Sequence, residues 1–315
     1  MKSEVIVGAV KKRNEFWKGI EIPKWVDVDT VELDQFYTNK DVARLCYEKA
    51  LRYLESKNVR VEDCFFIEPS AGDGAFLDFL PVDRRLGLDI CPMRDDIIEA
   101  DFLTWKPQLP KNKKIVYIGN PPFGYRGWLA LQFMNKCGMN ADYVFSILPM
   151  SFQSMGKGSP RFRVKGMVLK NYERLPKNSY YTPEGRKECI NAIWTVWEKG
   201  ENSLPAVDDL SNYLELFTVD MRKERLCGIE KMKNADFFLQ RTFYDNNPPR
   251  AVEDFSDVKY VCGYGFITKQ KAKGIRKIID DTDWFRYSNL AAHNCHHISM
   301  YHIKQALNDG GIRYV

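Results

Sequence analysis

Residues 117–128 read YIGNPPFGYRGW. Asn120 offers an amide oxygen, and Pro121 offers a carbonyl on backbone that its ring restrains. Both could accept hydrogens from one exocyclic amino group. That would localise a nitrogen lone pair that otherwise conjugates into its ring, leaving it able to attack an electrophilic carbon. Pro122 stiffens the same lip, and Phe123 could stack on the face of a base. Catalysis of this kind works by orientation and preorganised electrostatics, with no covalent intermediate.

Three further stretches place acids and glycines where a ligand could meet them. FIEPSAGDGAFLDFL (66–80) joins a predicted strand to a predicted helix through Ala71, Gly72, Asp73 and Gly74. Glycines there let backbone approach a ligand closely. The pattern is not GxGxxG, which disfavours a dinucleotide pyrophosphate. Glu68 and Asp73 would repel phosphates and suit an amino group or a cation. The next strand ends in Asp89, placed to accept from ribose hydroxyls. EADFL follows, where Asp101 could accept from an adenine amino group and Phe102 could cover the ring.

The elements that must position these residues read as α/β. A helix is predicted over about 40–57, with apolar residues at helical spacing and Asn39 or Thr38 as its cap. Strands are predicted at 64–68, 85–89, 97–102, 114–118, 142–149, 166–175 and 190–198. Short apolar runs separated by crossovers predict a mainly parallel sheet, the last two runs forming an antiparallel pair at one edge. Open sheets of this kind bind ligands at the carboxyl ends of their strands. Residues 1–33 read as an N-terminal extension, 34–199 as a catalytic domain and 200–315 as a second region rich in aromatics, Lys and Arg.

Together these stretches resemble the S-adenosylmethionine-dependent N6-adenine methyltransferases of DNA, whose catalytic motif is [DNS]-P-P-[YF]. NPPF is similar to motif IV of that family, EPSAGDGAF to motif I and DQFYTNKDVA (34–43) to motif X. LPKNSYYTPEG (175–185) resembles motif VIII, which implies Tyr180 as the ring closing over the extruded base, or Tyr181 if the alignment shifts by one. The order matches the gamma arrangement. The resemblance implies a Rossmann-like class I fold with a seven-stranded, mostly parallel sheet and a smaller C-terminal recognition region. It implies S-adenosylmethionine as cofactor, S-adenosylhomocysteine as product, and Thr38 at the methionine end. Double-stranded DNA would be the substrate, with the target adenine flipped out, and a cognate restriction endonuclease a functional partner. NPPF also occurs in RNA adenine methyltransferases, so RNA is the first alternative. A nucleic-acid-binding module without activity is the second.

Charge distribution agrees with a polyanionic partner. Residues 111–170 hold ten Lys or Arg against one acid, Asp142. Residues 259–277 hold six and no acid, and Lys269, Lys271 and Lys273 are the expected phosphate contacts. All four histidines fall in HNCHHISMYH (293–302), at spacings that fit no standard four-ligand zinc pattern, so no metal is expected. Eight cysteines scattered without a CxxC pair read as reduced thiols. Neither a signal peptide nor an apolar run of membrane-spanning length is apparent, so a cytoplasmic setting is expected.

Overall fold

Asn39 sets the start of the first helix. In the computed structural model of the chain, which describes residues 36–156, 158–181, 187–188, 190–269, 274–291 and 294–312, its Oδ1 accepts from the Asp41 amide at 2.9 Å. A short strand β1 (Tyr37–Thr38) precedes it and α1 runs over Lys40–Ser56. Val42, Ala43, Cys46, Ala50 and Leu54 recur at helical spacing and are all buried.

Seven strands form the main sheet: β2 (Cys64–Glu68), β3 (Arg85–Asp89), β4 (Ile97–Glu99), β5 (Lys114–Gly119), β6 (Tyr143–Pro149), β7 (Met167–Arg174) and β10 (Ala192–Lys199). Two short strands, β8 (Tyr180–Tyr181) and β9 (Lys187–Glu188), lie between β7 and β10 in the chain. The sheet order is β4-β3-β2-β5-β6-β10-β7. β2 to β6 pair in parallel, and β10 runs antiparallel between β6 and β7. This is the expected Rossmann-like, mostly parallel α/β fold. Helix α2 (Trp128–Cys137) crosses from β5 to β6. On one face Phe145 and Phe76 sit against Trp194 at centroid distances of 6.2 and 6.1 Å, inside a core that α1 covers.

Two details differ from the sequence reading. The strand expected over 97–102 stops at Glu99. No α-helix follows the glycine turn, only a 3-10 turn over Leu77–Phe79. The Leu77 amide, which a helix would spend on a carbonyl four residues back, goes to the Glu68 carboxylate at 2.7 Å. Pro81 then cannot extend the ladder.

The chain divides into two compact units. The first ends at Phe152 and resumes over Arg163–Asn202; the second takes Gln153–Phe162 and everything from Ser203. In the second, β11 (Leu214–Asp220), β14 (Cys262–Thr268) and β12 (Phe237–Gln240) form an antiparallel sheet in that order. A short helix α3 (Ile229–Met232) follows β11. β13 (Thr242–Phe243), β16 (His296–His297) and β15 (Asn289–Leu290) form another sheet. Helices α4 (Ile275–Asp281) and α5 (Met300–Asp309) bury Ile275, Ile279, Ile303 and Leu307 in a core shared with Phe266 and Trp284. Among the described residues no helix is long and apolar enough to cross a membrane.

Candidate active site

From β2 the chain passes to β3 and β4 on one side, then returns to place β5 and β6 on the other. β2 and β5 therefore flank the switch point of the sheet, where connections leave in opposite directions and open a crevice at the carboxyl ends. Glu68 ends β2, and Asn120 is the first residue after β5. The topology brings the two motifs to one place.

Asn120 is held by two hydrogen bonds. Its Nδ2 donates to the Phe36 carbonyl at 3.1 Å, and its own carbonyl accepts from Ser70 Oγ at 3.0 Å. A backbone carbonyl only accepts, so the contact with Phe36 fixes which end of the amide is nitrogen. Oδ1 must point the other way. That oxygen is buried and has no hydrogen-bond partner among the described residues. Pro121 is buried, while Pro122 and Phe123 are half-buried, Phe123 packing on the edge of the core. The first turn of α2 steadies the lip, Ala130 N donating to the Phe123 carbonyl at 3.3 Å.

The glycine turn is tied to the end of β3. Asp89 accepts from Gly72 N at 2.7 Å through one oxygen and from Cys91 N at 2.8 Å through the other. Each oxygen keeps capacity for a second donor. Burial raises the Asp89 pKa, opposed by those amides. Gly72 has φ +52°, and a Cβ there would lie 2.9 Å from the Tyr37 ring. Gly74 has φ +81°. Both positions need glycine. Ala71 is buried, its amide donating to the Leu88 carbonyl at 2.8 Å.

Register in the small sheet β1-β8-β9 decides which tyrosine faces the turn. Thr38 pairs with Tyr180 and Tyr37 with Tyr181, and directly opposed residues share a face. Thr38 and Tyr180 point into the core, at 3% and 1% exposure. Tyr37 and Tyr181 take the other face, with centroids 5.6 Å apart, and the Tyr181 hydroxyl donates to Asp73 Oδ2. Burial, then the Asp73 bond, raises the Tyr181 pKa.

The other expected residues are placed as follows. Tyr180 offers no face to a base, because its ring fills the core, and Thr38 is buried with it. Phe102 is also enclosed, with Phe133, Tyr117 and Trp105 rings 5.2, 5.6 and 6.4 Å away. Asp101 lies two residues past the end of β4 and accepts from Leu103 N at 2.9 Å, closing a turn. Glu68 is buried beneath the turn and braces it rather than facing outward. Tyr37 and the Phe36 carbonyl were not singled out in the sequence, although the motif X stretch contains both. Lys269 is exposed and donates to the Ser211 carbonyl at 2.6 Å. Lys271 and Lys273 lie outside the described residues, as does His293. The other histidines are built into the second unit. His296 bonds Ser288 and Asp245, His297 bonds Thr242, and His302 completes a capping box with Ser299.

Burial of Glu68 has a measurable consequence. Desolvation raises its pKa well above the ordinary value, more than the Leu77 and Phe76 amides lower it. The native state then holds a proton that the unfolded chain releases near pH ~4.3. Stability should fall as pH rises from there toward the raised value. Urea midpoints of the parent should therefore decline relative to those of Glu68→Gln across that window. Parallel curves would show that the Glu68 carboxyl titrates normally.

No protein-family model matches the chain, and no curated protein sequence matches it. Among solved structures, the chain is similar to a candidate RNA methyltransferase of Pyrococcus horikoshii at 17% identity and TM-score 0.38, covering 60% of this chain and 98% of that one. It is similar to the M protein of the type I restriction enzyme EcoKI at 15% identity and TM-score 0.37, covering 56% of this chain and 47% of that one. A third likeness is to a Streptococcus thermophilus protein described as a hemolysin, at 17% identity and TM-score 0.34, covering 54% of this chain and 70% of that one. Likenesses this distant leave the reading of the site to its own geometry.

Proposed function

We propose that the protein is an S-adenosylmethionine-dependent methyltransferase acting on the N6 amine of adenine in double-stranded DNA. The observation that carries the reading is the buried, unpartnered Asn120 Oδ1 at the switch point of the sheet. An unsatisfied buried acceptor costs stability, and it is the group needed to receive an N6 hydrogen.

The residues at the glycine turn fit the cofactor. Gly72 and Gly74 let the turn pass close against the Tyr37 ring and the Arg94 guanidinium, where Cβ atoms would collide. Asp89 would accept from ribose hydroxyls, and Asp73 would face the amino end. The cofactor supplies an electrophilic methyl group on a positively charged sulfur. Asn120 Oδ1 and the Pro121 carbonyl would hold the two amine hydrogens and so orient the nitrogen lone pair. Phe123 would support one face of the flipped base and Tyr181 the other. No residue need form a covalent bond to substrate.

Asp89→Ala should weaken cofactor binding by about 1.5–3 kcal/mol for each lost hydrogen bond to the carboxylate. Calorimetric titration reads this directly, and unchanged affinity would remove Asp89 from the site. The reading itself is tested by offering labelled S-adenosylmethionine with duplex DNA or with structured RNA. Label is expected in the duplex. Preferential labelling of RNA would replace DNA as substrate while leaving the chemistry intact.

A further inference from the structure

One bond joins the two halves of the candidate site. The Tyr181 hydroxyl, on β8, donates to Asp73 Oδ2 in the glycine turn, 108 positions earlier in the chain. β8 belongs to the small sheet β1-β8-β9, and the turn belongs to the connection from β2 to β3 in the main sheet. In the proposed reaction the first meets the base and the second meets the cofactor. Neither stacking on a base nor holding a cofactor requires that bond.

Both partners are fixed by other contacts. Tyr37 and Tyr181 are opposed in register, with rings 5.6 Å apart at 38°. Asn39 N donates to the Ser179 carbonyl at 2.8 Å, which extends the pairing of the two segments. Tyr37 in turn lies against the glycine turn, 2.9 Å from where a Gly72 Cβ would stand. Within the turn, Gly72 N donates to Asp89 at 2.7 Å and Gly74 N to the Ala71 carbonyl at 2.6 Å. The Asp73 carbonyl accepts from Arg94 Nη1 at 3.5 Å. The backbone around Asp73 is therefore set, and the Tyr181 hydroxyl sets its side chain.

Tyr181 takes one of about four acceptor positions on the Asp73 carboxylate. Asp73 is half-buried, so other positions can meet a ligand. The surroundings are negative. After burial and the Leu77 and Phe76 amides, the charges of Asp73 and Asp89 act on the buried Glu68 carboxyl. Acids gathered in this way disfavour one another's charge, and a cation among them relieves it. A phosphate would not, whereas an ammonium group would. The amino acid end of S-adenosylmethionine carries one. A hydroxyl is also the donor suited to the task, because it orients the carboxylate and leaves its charge for the ligand.

We propose that Tyr181 is a positioning residue for the cofactor, its hydroxyl fixing the Asp73 carboxylate in the orientation that receives the ligand's ammonium group. Asp73 touches the ligand, and Tyr181 acts through it. The ring that covers the flipped base is then anchored to the carboxylate that holds the cofactor. The identity of the ligand rests on the proposed function; the link rests on the bond between Tyr181 and Asp73.

The test is calorimetric and uses the full chain without DNA. S-adenosylhomocysteine carries the ammonium group, and 5′-methylthioadenosine keeps the nucleoside but lacks the amino acid end. Tyr181→Phe keeps the ring against Tyr37 and deletes only the hydroxyl. It should weaken S-adenosylhomocysteine binding by about three- to tenfold, the worth of one hydrogen bond. Methylthioadenosine affinity and the urea midpoint should stay as in the parent. Asp73→Ala should likewise weaken only the ligand with the ammonium group, and adding Tyr181→Phe to it should have no further effect. Parent-like S-adenosylhomocysteine affinity in Tyr181→Phe overturns the proposal. So does an equal loss for both ligands, or a loss that persists in the Asp73→Ala background. Methyl transfer to duplex DNA, assayed on the same samples, separates this link from the proposed function. If the parent methylates duplex and Tyr181→Phe binds S-adenosylhomocysteine like the parent, only the link fails. A parent that shows the Tyr181 dependence but transfers no methyl group keeps the link and loses the reaction.

Discussion

Asn120→Ala should lower single-turnover methyl transfer to duplex DNA by about 10²–10³-fold, the usual loss for one preorganised group. The strand, both prolines and Phe123 remain, and the variant discards an oxygen that has no partner among the described residues. It also frees the Phe36 carbonyl, which Asn120 Nδ2 holds at 3.1 Å. The fold should survive that, and S-adenosylmethionine should bind as in the parent. Asn120→Asp keeps an acceptor but loses the donor to Phe36, so partial activity should remain. Parent-like rates for Asn120→Ala would reduce NPPF to punctuation after a strand.

The two tyrosines of β8 should fail in different ways. Tyr180→Ala truncates a fully buried aromatic and should cost about 3–5 kcal/mol of stability. Tyr180→Phe should be neutral or slightly stabilising, because the hydroxyl it deletes is buried without a partner among the described residues. Tyr181→Ala should leave denaturant midpoints near those of the parent. It should weaken methylation by the worth of one stacked ring, roughly 1–3 kcal/mol. Chemical denaturation and single-turnover rates, measured on all three variants, separate the roles. A stable, poorly active Tyr180→Ala would reverse the assignment of faces.

These residues also show what a sequence can and cannot disclose. The seven strands were legible because apolar runs bounded by Gly, Pro and Asp are what a buried parallel sheet requires. Asn120 and Asp89 were legible because residues at strand ends inherit their place from the sheet. Tyr180 and Tyr181 were not separable, since a one-residue shift in register turns every side chain to the opposite face. The pairing of Thr38 with Tyr180 and of Tyr37 with Tyr181 puts Tyr180 on the core face and Tyr181 on the other. Phe102 misled for a related reason. Its strand stops at Glu99, so alternation no longer governs it, and its ring drops among Tyr117 and Phe133. The helix expected after Gly74 failed because Glu68, distant by nine positions, captures the Leu77 amide. Such a tertiary bond leaves no local trace. The basic run at 259–277 suggested phosphate contacts at Lys269, Lys271 and Lys273, of which only Lys269 lies among the described residues.

The central claim is that Asn120 Oδ1 receives a hydrogen of an adenine N6 amine. Its most direct test is the identity of the methylated nucleoside. Duplex DNA incubated with the parent protein and isotope-labelled S-adenosylmethionine is digested, and its nucleosides are resolved by mass spectrometry. The account predicts label in N6-methyladenine with the parent and its near absence with Asn120→Ala. Label in methylated cytosine, or equal label in adenine from both proteins, would contradict it.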